Sequence, residues 1–257
     1  MKEEVHNADQ KRDRVQVVER AFGLLDALVK SGGSATAGQL KSVSGLAGPT
    51  VHRLLHTLMH IGVVHQLPNK EYALGANLVP LGEGATRQLG SLAVPQMQSL
   101  VAELGESVNM AAMESEMVVY IAQVPSPHSM RMFTEVGRRA YLHSTGVGKA
   151  MLATLPEDRV REVLRSTGMQ AITPKTLTKP QALLDQLPVI SAQGYAIDDE
   201  EQELGVRCLA VPIPQGPTRM ALSVSGPTAR MTDAFIRHAT PLMTRTAAEI
   251  ARKLTRG

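Results

Sequence analysis

The sequence predicts an α+β chain in two unlike parts, a small helical head and a larger mixed domain. Three observations carry this. Residues 15–75 hold three short helical patterns followed by a hairpin signal. Beyond about residue 105 the texture turns to apolar runs of strand length, broken by helical stretches. With 257 residues, 43% of them hydrophobic, the chain has room for two ordinary domains with their own cores. Strands mixed with helices on an antiparallel sheet place the second part in the α+β class.

The head reads element by element. Val15 to Lys30 has helical spacing, with Val18, Ala21, Leu25 and Leu28 on one stripe. The run SGGS at 31–34 ends it. A second helix opens on Thr36 and Gln39, spaced as a capping box, runs through Leu40 and Val43, and stops near Ser44-Gly45. The third starts near Pro49, a residue suited to a first helical turn, and reaches about residue 61. Its apolar face is Val51, Leu54, Leu55 and Leu58; the other face carries Thr50, His52, Arg53, His56, Thr57 and His60. Residues 63–66 and 71–74 flank an LPNK turn and form a hairpin.

Three short helices and a hairpin make a winged helix-turn-helix, with residues 45–48 as the tight turn. In such a motif the third helix enters the major groove of double-stranded DNA. Gly48, Thr50, His52 and Arg53 sit at its leading end, His56 and Thr57 follow, and Lys70 lies near the hairpin tip, placed for a phosphate. Thr can meet a phosphate or a thymine methyl, and Arg can take guanine bidentately. Read alone, these side chains are only the wet face of a helix; the capped second helix, the turn and the hairpin favour the DNA reading. Residues 1–75 hold nine Lys/Arg against seven Asp/Glu. One copy then binds modestly, so a dimer reading two half-sites is expected.

The remaining elements follow in order. A connecting helix is expected over residues 76–90 within a helical stretch from Asn77 to Ser99, then a helix after Pro95 through Met97, Leu100, Val101 and Leu104. Residues 108–113 and 117–124 form a strand pair, and 130–134 continues the sheet. Short helices are expected over 149–155 and 156–165. Another covers 182–192, kinked or ended by Pro188. Strands at 205–213 and 219–225 meet across residues 214–217, and a last amphipathic helix spans 232–254. Met110, Met113, Met130 and Met132 either line an adaptable wall or belong to the core.

Composition narrows the chemistry. A net charge of +3 permits a nucleic-acid partner without demanding one. The single cysteine, Cys208, excludes an intramolecular disulfide and suits a reducing compartment. No run approaches the roughly 18 apolar residues of a membrane span, and residues 1–14 read as a solvated tail without a signal core. A cytoplasmic protein with no membrane partner is expected.

The run HSTGVGKA at 143–150 invites a nucleotide reading, but a phosphate loop needs Gly six residues before its Lys and Ser or Thr after it. Here those places hold His143 and Ala150. The glycines and the helix start still favour a small anion. Lys149 suits that helix start poorly, so it points outward or pairs with a carboxylate. The acidic run from Asp198 to Glu201 reads as solvated. His143, Asp198 and Cys208 lack a compact zinc spacing, so no metal or cofactor is expected. Cys208 sits in an apolar run that favours an inert thiol, which weighs against an enzyme acting on a small carboxylate through it.

Over roughly residues 15–255 the chain resembles the IclR family of bacterial transcriptional regulators. The runs that carry the resemblance are GLAGPTVHRLLHTL, RRAYLHSTGVGKAMLATLP, GYAIDDEEQELGVRCLAVPI and ALSVSGP, in that order. The resemblance implies an N-terminal winged helix-turn-helix over 15–75 and a linker helix over 76–90. Beyond it comes a GAF-like α+β domain over 91–257 that binds an effector and assembles a homodimer or a dimer of dimers. It implies a small organic acid as effector and, position by position, Gly146, Val147, Asp198, Cys208, Ser223 and Ser225 as its contacts. Residues 223 and 225 point the same way on a strand. Gly48-Pro49 departs from the family's usual basic or polar residue and small hydroxyl, which puts base readout there in doubt. The expected function is a regulator whose operator binding shifts as the effector favours one of two arrangements. No catalytic residue is assigned, and a metabolite-binding module without DNA activity is the remaining alternative.

Overall fold

The computed structural model describes residues 15–89, 92–214 and 218–255. The expected tail at 1–14 and most of the turn at 214–217 lie outside them. The chain forms two compact units that meet in sequence between Gly84 and Ala85.

In the first unit, helices α1 (Gln16–Lys30), α2 (Ala37–Ser44) and α3 (Gly48–His60) surround a core of Leu24, Leu28, Leu40 and Leu55. The α1 stripe differs from the expected one: Leu24, Leu25, Ala27 and Leu28 are buried, Ala21 is half-buried, and Val18 is 50% exposed. Only the second half of α1 is covered within the unit, so the apolar residues of its first half stay in solvent. The capping box of α2 is formed as expected. The Gln39 amide donates to Thr36 Oγ1 (3.3 Å), and the Thr36 amide donates to Gln39 Oε1 (2.8 Å). Gly45 ends the helix at φ +66°, the left-handed region glycine enters at little cost. Pro49 sits in the first turn of α3, which buries Val51, Leu54, Leu55 and Leu58.

The wing has three strands where the sequence suggested two. β1 (Ser34–Ala35) pairs antiparallel with β3 (Tyr72–Leu74), which also pairs with β2 (Val64–Gln66). Two residues are too few to show a period of two. Helix α4 (Leu78–Leu89) spans the division between the units, and α5 (Val94–Leu104) restarts with Pro95 in its first turn.

The second unit is built on six antiparallel strands: β4 (Ser107–Glu114), β5 (Met117–Val124), β6 (Arg139–Ala140), β7 (Ala196–Asp199), β8 (Val206–Ile213) and β9 (Met220–Pro227). Their order across the sheet is β6-β5-β4-β9-β8-β7. Alternation divides the side chains between two faces. Met110, Leu209, Val211, Leu222 and Val224 pack with α5 and α9 (Asp233–Leu254). Ala111, Ala210 and Ala221 meet α6 (Gly146–Leu152), α7 (Glu157–Thr167) and α8 (Pro180–Gln193) on the other face. Helices on both faces of one antiparallel sheet give the expected α+β, GAF-like architecture.

Two expectations are corrected, and one strand was not foreseen. Residues 130–134 form a loop instead of a strand, with Met130 and Phe133 in solvent. Side chains occupy its carbonyls, Ser107 Oγ donating to Met132 O (2.9 Å) and Arg230 Nη2 to Met130 O (2.9 Å). Arg139 and Ala140 pair with β5 in its place. β7 was not anticipated because its Asp198 and Asp199 are poor strand formers. Pro188 neither ends nor splits α8; burial of Leu183, Leu184, Leu187 and Ile190 holds the helix across the lost hydrogen bond.

Candidate functional site

The first unit presents an open groove on α3. It is lined by His52, Arg53, His56 and Thr57 of α3, with Met59 and Tyr72 beneath. All four α3 residues are exposed because Val51, Leu54, Leu55 and Leu58 hold the opposite face in the core. Thr57 Oγ1 is spent on the Arg53 carbonyl (3.0 Å), which leaves Arg53 and the two histidines as the free donors of this stretch. Gly48 opens the helix and Thr50 is half-buried in its first turn. Lys70 is exposed at the hairpin tip with φ +69°.

The second unit holds a cavity over the β5, β8 and β9 strands. It is lined by Gly146, Asp198, Cys208 and Ser225 from four different elements, and by Tyr120, Arg138 and Gln202 among others. It spans about 470 Å³ with its mouth.

Small residues build this site. With Cys208, Ala210 and Ser225 on the sheet face, the backbone of α6 descends until a Cβ on Gly146 would lie 3.3 Å from Ala210 Cβ and Cys208 Sγ. Gly148 has another reason to be glycine: its Cβ would fall 2.2 Å from the Leu142 carbonyl oxygen. The sequence suggested that these glycines serve ligand approach; Gly148 serves the crossing of loop and helix, and only Gly146 reaches the cavity wall. Thr145 caps the helix, accepting from the Gly148 amide (3.1 Å), while the Gly146 and Val147 amides have no acceptor within the helix. The Val147 side chain is buried in the apolar core. Ser225 lies opposite Cys208 and donates to its sulfur (3.2 Å); Ser223, two residues earlier, is buried opposite Ala210 and also bonds the Cys208 thiol.

Charges in and under the cavity are unusual. Burial pushes the Asp198 carboxyl up to about 7, against the pull of the Glu201 and Gln202 amides it accepts from (2.8 and 3.3 Å). Burial, reinforced by Asp198, pushes the Cys208 thiol up to about 12. A thiol held there supplies no thiolate near neutral pH, so the chemistry an enzyme would need from it is missing. Burial also raises the Tyr120 hydroxyl.

Lys149 does not point outward. It is 1% exposed and ion-paired with Glu201, with Gln186 Oε1 3.4 Å away, because α6 is sealed between the sheet and α8. The acidic run is accordingly not simply solvated. Asp198 and Glu201 turn inward, while Glu200 pairs with Lys175 (2.6 Å). His143 is buried too, its Nε2 3.1 Å from the Gln170 carbonyl, outside the cavity lining. Among the described residues no group of His, Cys, Asp or Glu could hold a metal ion, and no helix is long and apolar enough to cross a membrane.

Sequence reasoning missed Arg138, Tyr120 and Gln202. Of the four methionines singled out, only Met132 lines the cavity, Met110 being in the core on the other face and Met130 in solvent.

Comparison with known proteins matches this architecture at both ends. Residues 17–68 match the IclR helix-turn-helix domain, and residues 85–252 match the bacterial transcriptional regulator IclR C-terminal domain. The chain is 37% identical over 227 residues to the transcriptional repressor IclR of Escherichia coli, covering 86% of this chain and 83% of that one. It is 34% identical over 236 residues to the regulator KdgR of Dickeya chrysanthemi, covering 89% and 76%. An IclR transcriptional regulator from Silicibacter sp. TM1040 shares its structure with TM-score 0.85 and 26% identity, over 93% of this chain and 96% of that one. An IclR homologue from Microbacterium hydrocarbonoxydans, complexed with 4-hydroxybenzoate, shares the fold at TM-score 0.75 and 22% identity, over 94% and 100%. A winged helix-turn-helix, an antiparallel-sheet domain with a polar cavity, and these matches over both units make the chain a DNA-binding regulator and not an enzyme, and it belongs to the IclR family of bacterial transcriptional regulators.

Proposed function

We propose that the protein is a ligand-responsive regulator whose cavity takes a small organic acid and whose α3 reads operator DNA as part of a homodimer or a dimer of dimers. The observation that carries the effector half is the convergence of Gly146, Asp198, Cys208 and Ser225 on one cavity, with Arg138 beside them. Four elements widely spaced in sequence supply polar groups there, which is the pattern of a small-molecule site. Ser223 and Val147 support this set from behind. The 4-hydroxybenzoate held by the Microbacterium homologue is itself a carboxylate, although that protein shares only the fold.

The DNA half rests on Arg53, His52, His56 and Thr57 facing solvent on α3, with Gly48 and Thr50 at its leading end and Lys70 on the wing. Residues 15–75 form the reading head, 76–90 the linker and 91–257 the effector domain. Two heads, each weakly basic, read two half-sites in the cytoplasm, and the acid shifts the balance between arrangements by binding them unequally. Mobility shift on the DNA upstream of the protein's own reading frame tests this. Arg53→Ala weakens retardation and lowers the salt slope by about one. The absence of a specific shift for the wild-type protein at low and moderate salt would overturn the reading.

A further inference from the structure

We propose that Thr57 is a specificity-determining residue of α3, and that it reads the C5-methyl group of a thymine with its own methyl instead of offering its hydroxyl to a base or a phosphate. This rests on α3 reading operator DNA, and it goes further by giving one side chain a mode of contact and a base.

The Thr57 hydroxyl has a single proton, and that proton is already given to the Arg53 carbonyl one turn earlier (3.0 Å). To donate to a base edge or a phosphate, Thr57 first has to give up this bond, so most of the gain from the new one is offset. The bond also turns the oxygen back along the helix. Threonine branches at Cβ, so the methyl is the branch left outward. Thr57 is exposed, while Val51, Leu54, Leu55 and Leu58 hold the other side of α3 in the core.

Its place on the helix suits a base reader. Thr57 lines the same open groove as His52, Arg53 and His56. Arg53 forms no ion pair among the described residues. It lies four residues earlier, about 6 Å along the axis, so the cation and the methyl together span about two base steps. Thr50, about two turns before Thr57, is on the same side, and among the described residues its hydroxyl makes no hydrogen bond. The helix thus keeps one threonine proton free at its leading end and offers a methyl further along. Helix stability gives no other reason for the residue, since threonine is a weak helix former at an exposed interior position. Among the four bases only thymine presents a methyl, and it does so in the major groove, where the methyl of threonine meets it by apolar contact.

The test is a quantitative mobility shift with the full-length protein, on the shortest specifically retarded fragment of the DNA upstream of its own reading frame. Each thymine is replaced in turn by uracil, which removes one methyl and leaves base pairing intact. One position in a half-site is expected to weaken wild-type binding about three- to tenfold. Thr57→Val, which keeps a methyl and loses the hydroxyl, binds as the wild type does and keeps the same sensitive position. Thr57→Ser, which keeps the hydroxyl and loses the methyl, binds the thymine fragment more weakly by the same factor and no longer distinguishes uracil there. A purely structural role would weaken binding to thymine and uracil fragments alike, and that result overturns the proposal. Binding that survives Thr57→Ser and is lost in Thr57→Val overturns it in favour of the hydroxyl. A sensitive position that persists in Thr57→Ser gives that methyl to another residue, and indifference to every replacement removes the methyl contact; both overturn the proposal while the DNA reading stands. Absence of any specific shift for the wild type overturns the DNA reading itself, and this proposal with it.

Discussion

Lys149→Met is the sharpest probe of the ion pair beneath the cavity. Met nearly matches the lysine in length and deletes its charge, leaving the Glu201 carboxylate, 7% exposed, without its cation. Its second oxygen already has no partner, so nothing in place can take up the charge. Breaking one side of a buried pair costs about 3–5 kcal/mol, whereas removing both charges together is close to neutral. At this chain size 1 kcal/mol moves the midpoint by roughly 2–4 °C, so the single variant melts roughly 10 °C lower. Lys149→Met combined with Glu201→Gln should recover most of that loss. Urea denaturation of wild type, both single variants and the double variant closes the cycle, with a coupling energy of at least about 2 kcal/mol expected. Additive losses would refute the argument, because they would mean that Lys149 and Glu201 contribute independently.

Three further outcomes are expected. Gly148→Ala drives a Cβ to within 2.2 Å of the Leu142 carbonyl oxygen and should destabilise the second unit by about 2–4 kcal/mol in urea; a loss below about 1 kcal/mol would show that the loop yields freely. Thr36→Ala removes the α2 cap at a cost of about 1 kcal/mol, read as faster amide exchange confined to the first unit. Asp198 carries a carboxyl raised from 3.8 to about 7, so its penalty is absent below about pH 4, grows as pH rises to 7, and is constant above. Asp198→Asn should therefore stabilise the protein by up to about 4 kcal/mol at pH 8 and leave it unchanged at pH 4. A difference independent of pH would contradict the burial of that carboxyl.

The first 75 residues were the most legible because their signals are local. A capping box, a left-handed glycine and an i, i+3, i+4, i+7 stripe each declare themselves within a few residues, and α2 and α3 formed where those signals lie. The same locality explains the failures. Val18 fits the apolar period of α1 but stays 50% exposed, and residues 130–134 read as a strand while two of their carbonyls are taken by distant side chains. The cavity was half legible. Glycines before a helix mark where backbone can come close, but which atoms they approach depends on other elements: Gly148 meets the Leu142 carbonyl and Gly146 meets Cys208 and Ala210. Lys149 is the clearest case. Its sequence context offered exposure or a carboxylate partner, and only the packing of α6 between sheet and α8 chose the second by leaving no route to water. The chain by itself determined its helices, its turns and the division of labour between head and sensor. Tertiary structure alone decided which charges are buried, because desolvation depends on neighbours far away in sequence.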